Sequence, residues 1–571
     1  MKIVSKIYSR ILLAAVVAVG AMMSSCTDYL TIIPPNKLVE ENFWQTKDQV
    51  NGMLATSYIE LFSTDAVRKA IIWGEVRSDD MCYPSLMEAN PQIKEIIEAD
   101  VDYENGYCHW GVYYKAISNA NLVIESAEKA LETDPDFTEG DLAVVQGEMY
   151  AMRALCHFYL VRTFRDIPLA TNSAKNDAEI PEYFQVHPLE ALNFIMADLE
   201  KAEDMVMKSG AYSDPAKNLG RINRNAVLAM KADVNLWRAA FAKYYEDDAT
   251  HVQPGDIQRY YDECVADCED LLADMDRIIN EKNKDNALVE KYPYNLIPNR
   301  GENLNSSHKS TAFEEIFVSK NSDESIFELQ IAGDKDSRNN TTGALAVYGI
   351  PGKTQGLVVA DKKFISKYYT EDDLRAYSFT NLKDYKTDLA DEEFKARVTK
   401  YAAKESPAVS NYRDDQNWDA NWIVYRRTDV MLMMAEAMVT RENATAADMD
   451  SAFNIVYAIN TRSRWDSNNL LDIKDYPTAE KMQELVRDER ARELAFEGKR
   501  WYDLVRLALR EKKTENIKFV AEKLKNSGVV KIKMSNIDCL FMPIYVDELR
   551  YNGNLKQNPE YDEEDSKIEL N

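Results

Sequence analysis

The chain has 571 residues, 45% of them hydrophobic, which is enough to bury a large core, and its 96 acidic against 69 basic side chains set the net charge at −27. So acidic a surface argues against nucleic acid and anionic lipid as partners, because neutralising phosphates takes a basic face. Seven cysteines, widely scattered, are too few for a disulfide framework.

The chain opens on a targeting segment. Lys2, Lys6 and Arg10 supply positive charge, Ile11 to Met23 an apolar run too short for a bilayer span, and Met23-Ser24-Ser25-Cys26 puts small residues before a cysteine. That order predicts cleavage after residue 25 and a lipid on Cys26; the alternative is ordinary cleavage near Ser25, leaving a periplasmic protein with a spare thiol. Buried acyl methylenes contribute about 0.8 kcal/mol each, so several chains make a stable anchor. Losing residues 1–25 removes three basic side chains and no acidic one, which takes the mature chain to net −30. No later run is long and apolar enough to cross a bilayer.

Helix is predicted from Glu41 to about Asn280, with apolar residues recurring at three and four positions near 46–63, 107–133, 139–165, 188–208, 222–246 and 256–280. Turn signals such as Thr133-Asp134-Pro135-Asp136 and Gln253-Pro254-Gly255-Asp256 separate them, so the helices form hairpins. In 141–165, Leu142, Val145, Met149, Met152, Cys156 and Tyr159 make one stripe that Ala151, Leu155 and Phe158 widen. A helix so broadly apolar packs on more than one side. Cys264 and Cys268 stand four apart, but no His or Cys follows at ligand spacing, so they are expected to be packing cysteines. The sequence predicts no metal site and no cofactor.

From about Leu288 to Trp422 the helical period fades into Gly, Asn, Ser and Asp clusters with short strand-like runs, Ile326-Phe327-Glu328-Leu329 and Leu357-Val358-Val359. This reads as a loop-rich lobe on a helical scaffold, where ligand contacts usually reside. Helices resume at 426–440, 446–463 and 478–511, the last capped at Pro477-Thr478. The fold class expected is mostly α, a tetratricopeptide-like helical-hairpin scaffold plus a lobe with a few short strands. The organisation is 1–25 signal peptide, 26–290 helical N-terminal region and 291–571 C-terminal region with that lobe.

The densest charged segment runs from Arg487 to Leu504. Catalysis would make Glu489 and Glu493 an acid/base pair, but a general acid needs its pKa raised, and Arg490, Arg492 and Arg500 favour the ionised form. Asp488 with Arg492, and Lys499 with Asp503, are spaced as helical ion pairs. A structural ion network is the expectation, and no catalytic residue is assigned.

Arg-Asp-Glu-Arg-Ala-Arg-Glu-Leu-Ala-Phe-Glu-Gly-Lys-Arg-Trp-Tyr-Asp-Leu-Val-Arg at 487–506 resembles the signature helix of the SusD/RagB family. Gly147 to Ala154 through Arg162-Thr163-Phe164-Arg165-Asp166-Ile167-Pro168-Leu169, Tyr425 to Ala437, Ile459 to Arg464, and Met542-Pro543-Ile544 with Asn554 to Pro559 follow in the family's order. Arg427-Thr428, Tyr545 and Glu560 depart from it at scaffold positions. The resemblance implies surface display on a Gram-negative outer membrane, a SusC-like TonB-dependent transporter as partner, and a non-enzymatic receptor for glycan. A receptor for peptides in the same kind of complex is one alternative. A surface-anchored glycoside hydrolase is another, and needs two carboxylates about 5 to 10 Å apart.

Trp73 to Asp80 resembles the family segment that leads into a ligand loop. Tyr83 then offers a ring for a sugar face, with Asp79 and Asp80 for the hydroxyls or, equally, for capping the turn. Tyr348, Tyr412 and Trp418 are further ligand candidates as aromatics of the loop lobe. Trp110 is expected to pack at a helix start.

Overall fold

The computed structural model describes residues 43–85, 89–173, 183–284, 292–300, 307–331, 343–407, 411–414, 418–466 and 470–562. The predicted signal segment and Cys26 lie outside them. In the N-terminal half stand α1 (Lys47–Leu61), α2 (Thr64–Ile71), α3 (Gly111–Ser126), α4 (Glu139–Phe164), α5 (Pro188–Met205), α6 (Arg224–Tyr244) and α7 (Asp256–Lys282). Their starts are chemically marked. Thr46 and Thr138 form capping boxes with Gln49 and Asp141, and Asn223 accepts from Ala226 N–H. The predicted 107–133 span is broken at both ends, by a 3₁₀ turn at Gly106–Cys108 and another at Ala127–Lys129.

Helix α4 is the spine. From Gly147 to Phe164 every residue but Tyr150 is buried, because α3 and α5 pack on it. Helix α6 continues the stack against α5 and α7. The polar groups that α4 buries are paired: Arg153 forks onto Asp198 at 2.7 and 2.8 Å, and Glu148 accepts from Tyr58 at 2.6 Å. Cys264 and Cys268 are buried on α7, and burial followed by the Cys268 thiol pushes Cys264 well up, so it stays a protonated packing residue.

The strands are short antiparallel pairs: β1 (Met81–Cys82) with β5 (Val359–Ala360), β2 (Ile167–Pro168) with β3 (Gln185–Val186), and β4 (Ser325–Leu329) with β6 (Trp422–Arg426), beside a further two-residue pair, Gly349–Ile350 with Thr354–Gln355. After them come α8 (Arg427–Thr440), α9 (Ala446–Arg462), α10 (Ala479–Glu493) and α11 (Arg500–Glu511). Helix α8 packs on α7, α9 and α10, and α11 packs on α6. The architecture is the mostly α, tetratricopeptide-like scaffold with a lobe of loops and short strands. No helix among the described residues is long and apolar enough to cross a membrane.

The expected single helix at 478–511 is two. It stops at Glu493, turns through Phe496 (φ 67°) and Gly498 (φ 72°), and restarts at Arg500. Gly498 takes the left-handed conformation without a Cβ penalty. Glu75, from the turn after α2, closes the break by accepting from the N–H groups of Phe496 at 2.7 Å and Lys499 at 2.6 Å. The spaced ion pairs are replaced as well: Lys499 reaches Asp429 at 2.8 Å, Asp503 takes Arg490 and Arg506, and Arg492 takes Glu489 at 2.8 Å.

Candidate functional site

Helix α2 runs into a wide turn, Ile72–Val76, and the chain then reaches β1 through Asp79 and Asp80. Trp73 is buried and its indole N–H donates to Tyr107 carbonyl at 2.8 Å. Asp79 spends both oxygens on Arg500, at 2.8 and 3.2 Å. Burial alone would raise its pKa, and the Arg500 guanidinium outweighs that and lowers it. Asp80 is wholly buried and accepts from the Ser78 hydroxyl, while its carbonyl accepts from Asp361 N–H at 2.8 Å. Burial raises its pKa, and burial plus the Asp80 charge raises that of Glu75 still more. Asp80 is therefore a tether inside the fold and not a ligand contact.

Beyond β1 the side chain of Tyr83 comes to a half-buried position, its hydroxyl 3.3 Å from Glu98 Oε1. Partial burial and then the Glu98 carboxylate raise its pKa, so the hydroxyl stays a donor. Tyr412 is also half-buried, in a bridge to Ala403. Tyr348 and Trp418 are corrected: both are buried, at 3% and 1% exposure, and Tyr348 donates to Phe496 carbonyl at 2.9 Å. They lie in a loop-rich stretch, yet their rings belong to the hydrophobic core. Trp110 packs before α3 as expected, edge-on to Phe164 at 5.1 Å.

The carboxylates of the signature segment are consumed. Glu489 accepts from Arg375, Asn460 and Arg492, and Glu493 from Arg375, Arg426 and Arg462 at 3.0, 2.7 and 2.6 Å. Burial pushes both acids up, but the arginines win and hold Glu493 well below the usual range and Glu489 below it. Neither is a proton donor near neutral pH.

Two of the hollows among the described residues bear on a ligand site. One of about 70 Å³ is lined by Asp79, Asp361, Lys363, Lys367 and Phe519, well below the roughly 300 Å³ where ligand clefts begin. The other, about 310 Å³, lies between the β2–β3 hairpin and the C-terminal segment and is lined by Arg165, Asp166, Gln185, His187, Lys556 and Gln557. Asn552 ties the chain beside it together by donating to Tyr183 carbonyl at 2.8 Å. Next to those two residues stand Phe184 and Tyr551, exposed by 60% and 88%. Sequence reading missed these two aromatics because it sought rings only in the loop around Tyr83, at Trp110 and between 288 and 422; the Asn552-Gly553 turn signal beside Tyr551 was the available cue.

A family model described as "SusD family" matches residues 375–561, and one described as "Starch-binding associating with outer membrane" matches residues 28–236. The chain belongs to the SusD/RagB family. Similar proteins include the SusD-like protein P38 of Formosa agariphila, 21% identical over 520 residues, covering 85% of this chain and 88% of that one. The SusD-like protein P2 of the same organism is 23% identical over 502 residues, with the same coverage. Among solved structures, a SusD homolog from Bacteroides thetaiotaomicron aligns with a TM-score of 0.66 at 17% identity, covering 91% of this chain and 98% of that one. A SusD superfamily protein from Parabacteroides distasonis gives 0.60 at 22%, covering 90% and 98%. The SusD/RagB motifs at 425–437, 459–464 and 487–506 all fall within the C-terminal match, and in space they are one object. Arg426, Arg462 and Glu493, one from each, meet in a single buried ion cluster.

Proposed function

We propose that this chain is a cell-surface binding protein that captures glycan and passes it to a SusC-like TonB-dependent transporter, held on the outer membrane by a lipid on Cys26. The observation that carries the reading is the pair of family matches in order along one chain, the first described as starch-binding and associating with the outer membrane. The state of Glu489 and Glu493 supports binding over hydrolysis, since acids held ionised by arginines cannot protonate a leaving group.

For the ligand surface we take Tyr83 and Tyr412, whose rings are half-buried and not enclosed in the core. Titration with maltooligosaccharides by calorimetry is the test. Stacking of a ring contributes about 0.5–1.5 kcal/mol, so Tyr83→Ala is expected to weaken binding up to about ten-fold with an unchanged melting temperature. Equal affinity for both proteins removes Tyr83 from the site. A loss in Tyr551→Ala instead moves the site to the larger hollow.

The family resemblance supports the transporter as partner, and one physical point agrees with it. No helix among the described residues is long and apolar enough to cross a membrane, and an anchored receptor would meet a barrel in the same membrane at high effective concentration. An affinity tag on this chain, with mild detergent extraction from cells grown on the inducing glycan, is expected to bring down a large outer-membrane barrel in near-equal amount. Recovery of this chain alone overturns the partnership.

A further inference from the structure

Away from that surface, His187, Asp248 and His251 come together although the sequence keeps the first far from the other two. His187 caps α5, and the others sit in the turn that follows α6. One ligand atom from each lies within 4.8 Å of the other two. The His251 Nδ1 atom is 2.7 Å from Asp248 Oδ2, and the two imidazoles stack with centroids 3.9 Å apart and planes 17° from parallel. Tyr245 closes one side, edge-on to His187 at 4.5 Å.

The turn is built to present its pair. Asp248 N–H donates to Tyr245 carbonyl at 2.8 Å, the Asp248 carbonyl accepts from His251 and Val252 N–H, and Asp248 Oδ1 accepts from Thr250 N–H at 2.9 Å. His187 Nδ1 accepts a long 3.3 Å bond from Leu189 N–H, whereas its Nε2 is buried with no partner. An unsatisfied ring nitrogen beside a carboxylate and a second imidazole lacks something that supplies a bond.

We propose that His187, His251 and Asp248 form a site for a borderline divalent metal, with Zn²⁺ the best match. Two imidazoles and one carboxylate are a zinc donor set, with water completing a tetrahedron, whereas Ca²⁺ and Mg²⁺ demand oxygen ligands. Binding through His187 Nε2 moves the ring proton to Nδ1, so the long bond to Leu189 is given up. The stacked rings splay so that their lone pairs converge. The ion would fasten the start of α5 to the α6–α7 turn beside the 310 Å³ hollow that His187 lines. Because a capping bond is exchanged for the metal bond, micromolar affinity is expected.

The test is calorimetric titration of the protein with ZnCl₂, with Co²⁺ absorption reporting coordination. One equivalent is expected to bind, to raise the melting temperature, and to give the intense visible bands of four-coordinate Co²⁺. His251→Ala and Asp248→Asn, which leave the α5 cap in place, are each expected to lose at least about ten-fold in Zn²⁺ affinity and to lose the cobalt bands. Melts of the metal-free variants check folding. Absence of stoichiometric binding overturns the site, as does binding that either variant leaves unchanged.

Discussion

Glu493→Ala is expected to destabilise the protein by about 3–5 kcal/mol, the cost of leaving buried charges uncompensated. Its carboxylate is the meeting point of Arg375, Arg426 and Arg462, themselves 1–5% exposed, so its removal leaves guanidinium groups facing one another in a dry interior. Glu489, Glu497 and Glu324 still pair with Arg375, Arg426 and Arg462 respectively, but each is already engaged with its arginine and cannot replace the bonds lost with Glu493. Denaturant unfolding measures the loss, and a variant as stable as the parent but unable to bind glycan would return Glu493 to the functional site. The arginine-paired acids of the 487–506 segment set an acid limit. Glu493 lies well below its ordinary pKa, and Asp503, where burial is outweighed by Arg490 and Arg506, falls from 3.8 to about 2. For acids with depressed folded values, the stabilisation is complete above the unfolded pKa and disappears as pH falls through the folded one. Asp503 thus loses its contribution between pH 3.8 and about 2. Glu75 and Asp80, raised by burial, work in the opposite sense and lose theirs as pH rises through their folded values.

Helix positions were legible wherever one apolar stripe met a marked start. Residues 188–208 and 222–246 show this, since Pro188 and Asn223 signal α5 and α6 before the periodic Leu, Ala and Ile residues begin. The break between α10 and α11 was not, because charges on both sides of Gly498 keep helical spacing and the partner that closes the turn, Glu75, comes from the far end of the chain. Ligand contacts were the least legible part. Residue type and a loop-rich neighbourhood do not reveal depth, which is how Tyr348 and Trp418 resembled ligand aromatics while lying in the core. The His187, Asp248 and His251 cluster escaped for a related reason: its Asp-x-x-His pair looks like surface turn chemistry until folding brings a third ligand beside it.

Gly74→Ala is expected to cost at least the upper part of the roughly 1–3 kcal/mol that overpacking usually takes, and to weaken glycan binding along with stability. Gly74 lies in the wide turn after α2, where its Cα faces the break between α10 and α11. A Cβ built there would stand 1.9 Å from the Gly498 carbonyl oxygen and 2.9 Å from the Tyr502 ring. The first is main chain, held by the Glu75 bonds that close the break, so no side-chain rotation relieves the clash. The turn must move instead. That movement pulls Glu75 from its N–H partners, Asp79 from Arg500 and β1 from β5, and it carries the Tyr83 loop with them. Stability and binding therefore fall together in Gly74→Ala, whereas Tyr83→Ala costs binding alone. Gly52→Ala, whose Cβ would meet nothing within 4 Å, is the matched control and is expected to melt with the parent or slightly above it. If Gly74→Ala melts with that control, the turn is looser than its contacts indicate and the link from the ion cluster to the Tyr83 loop fails.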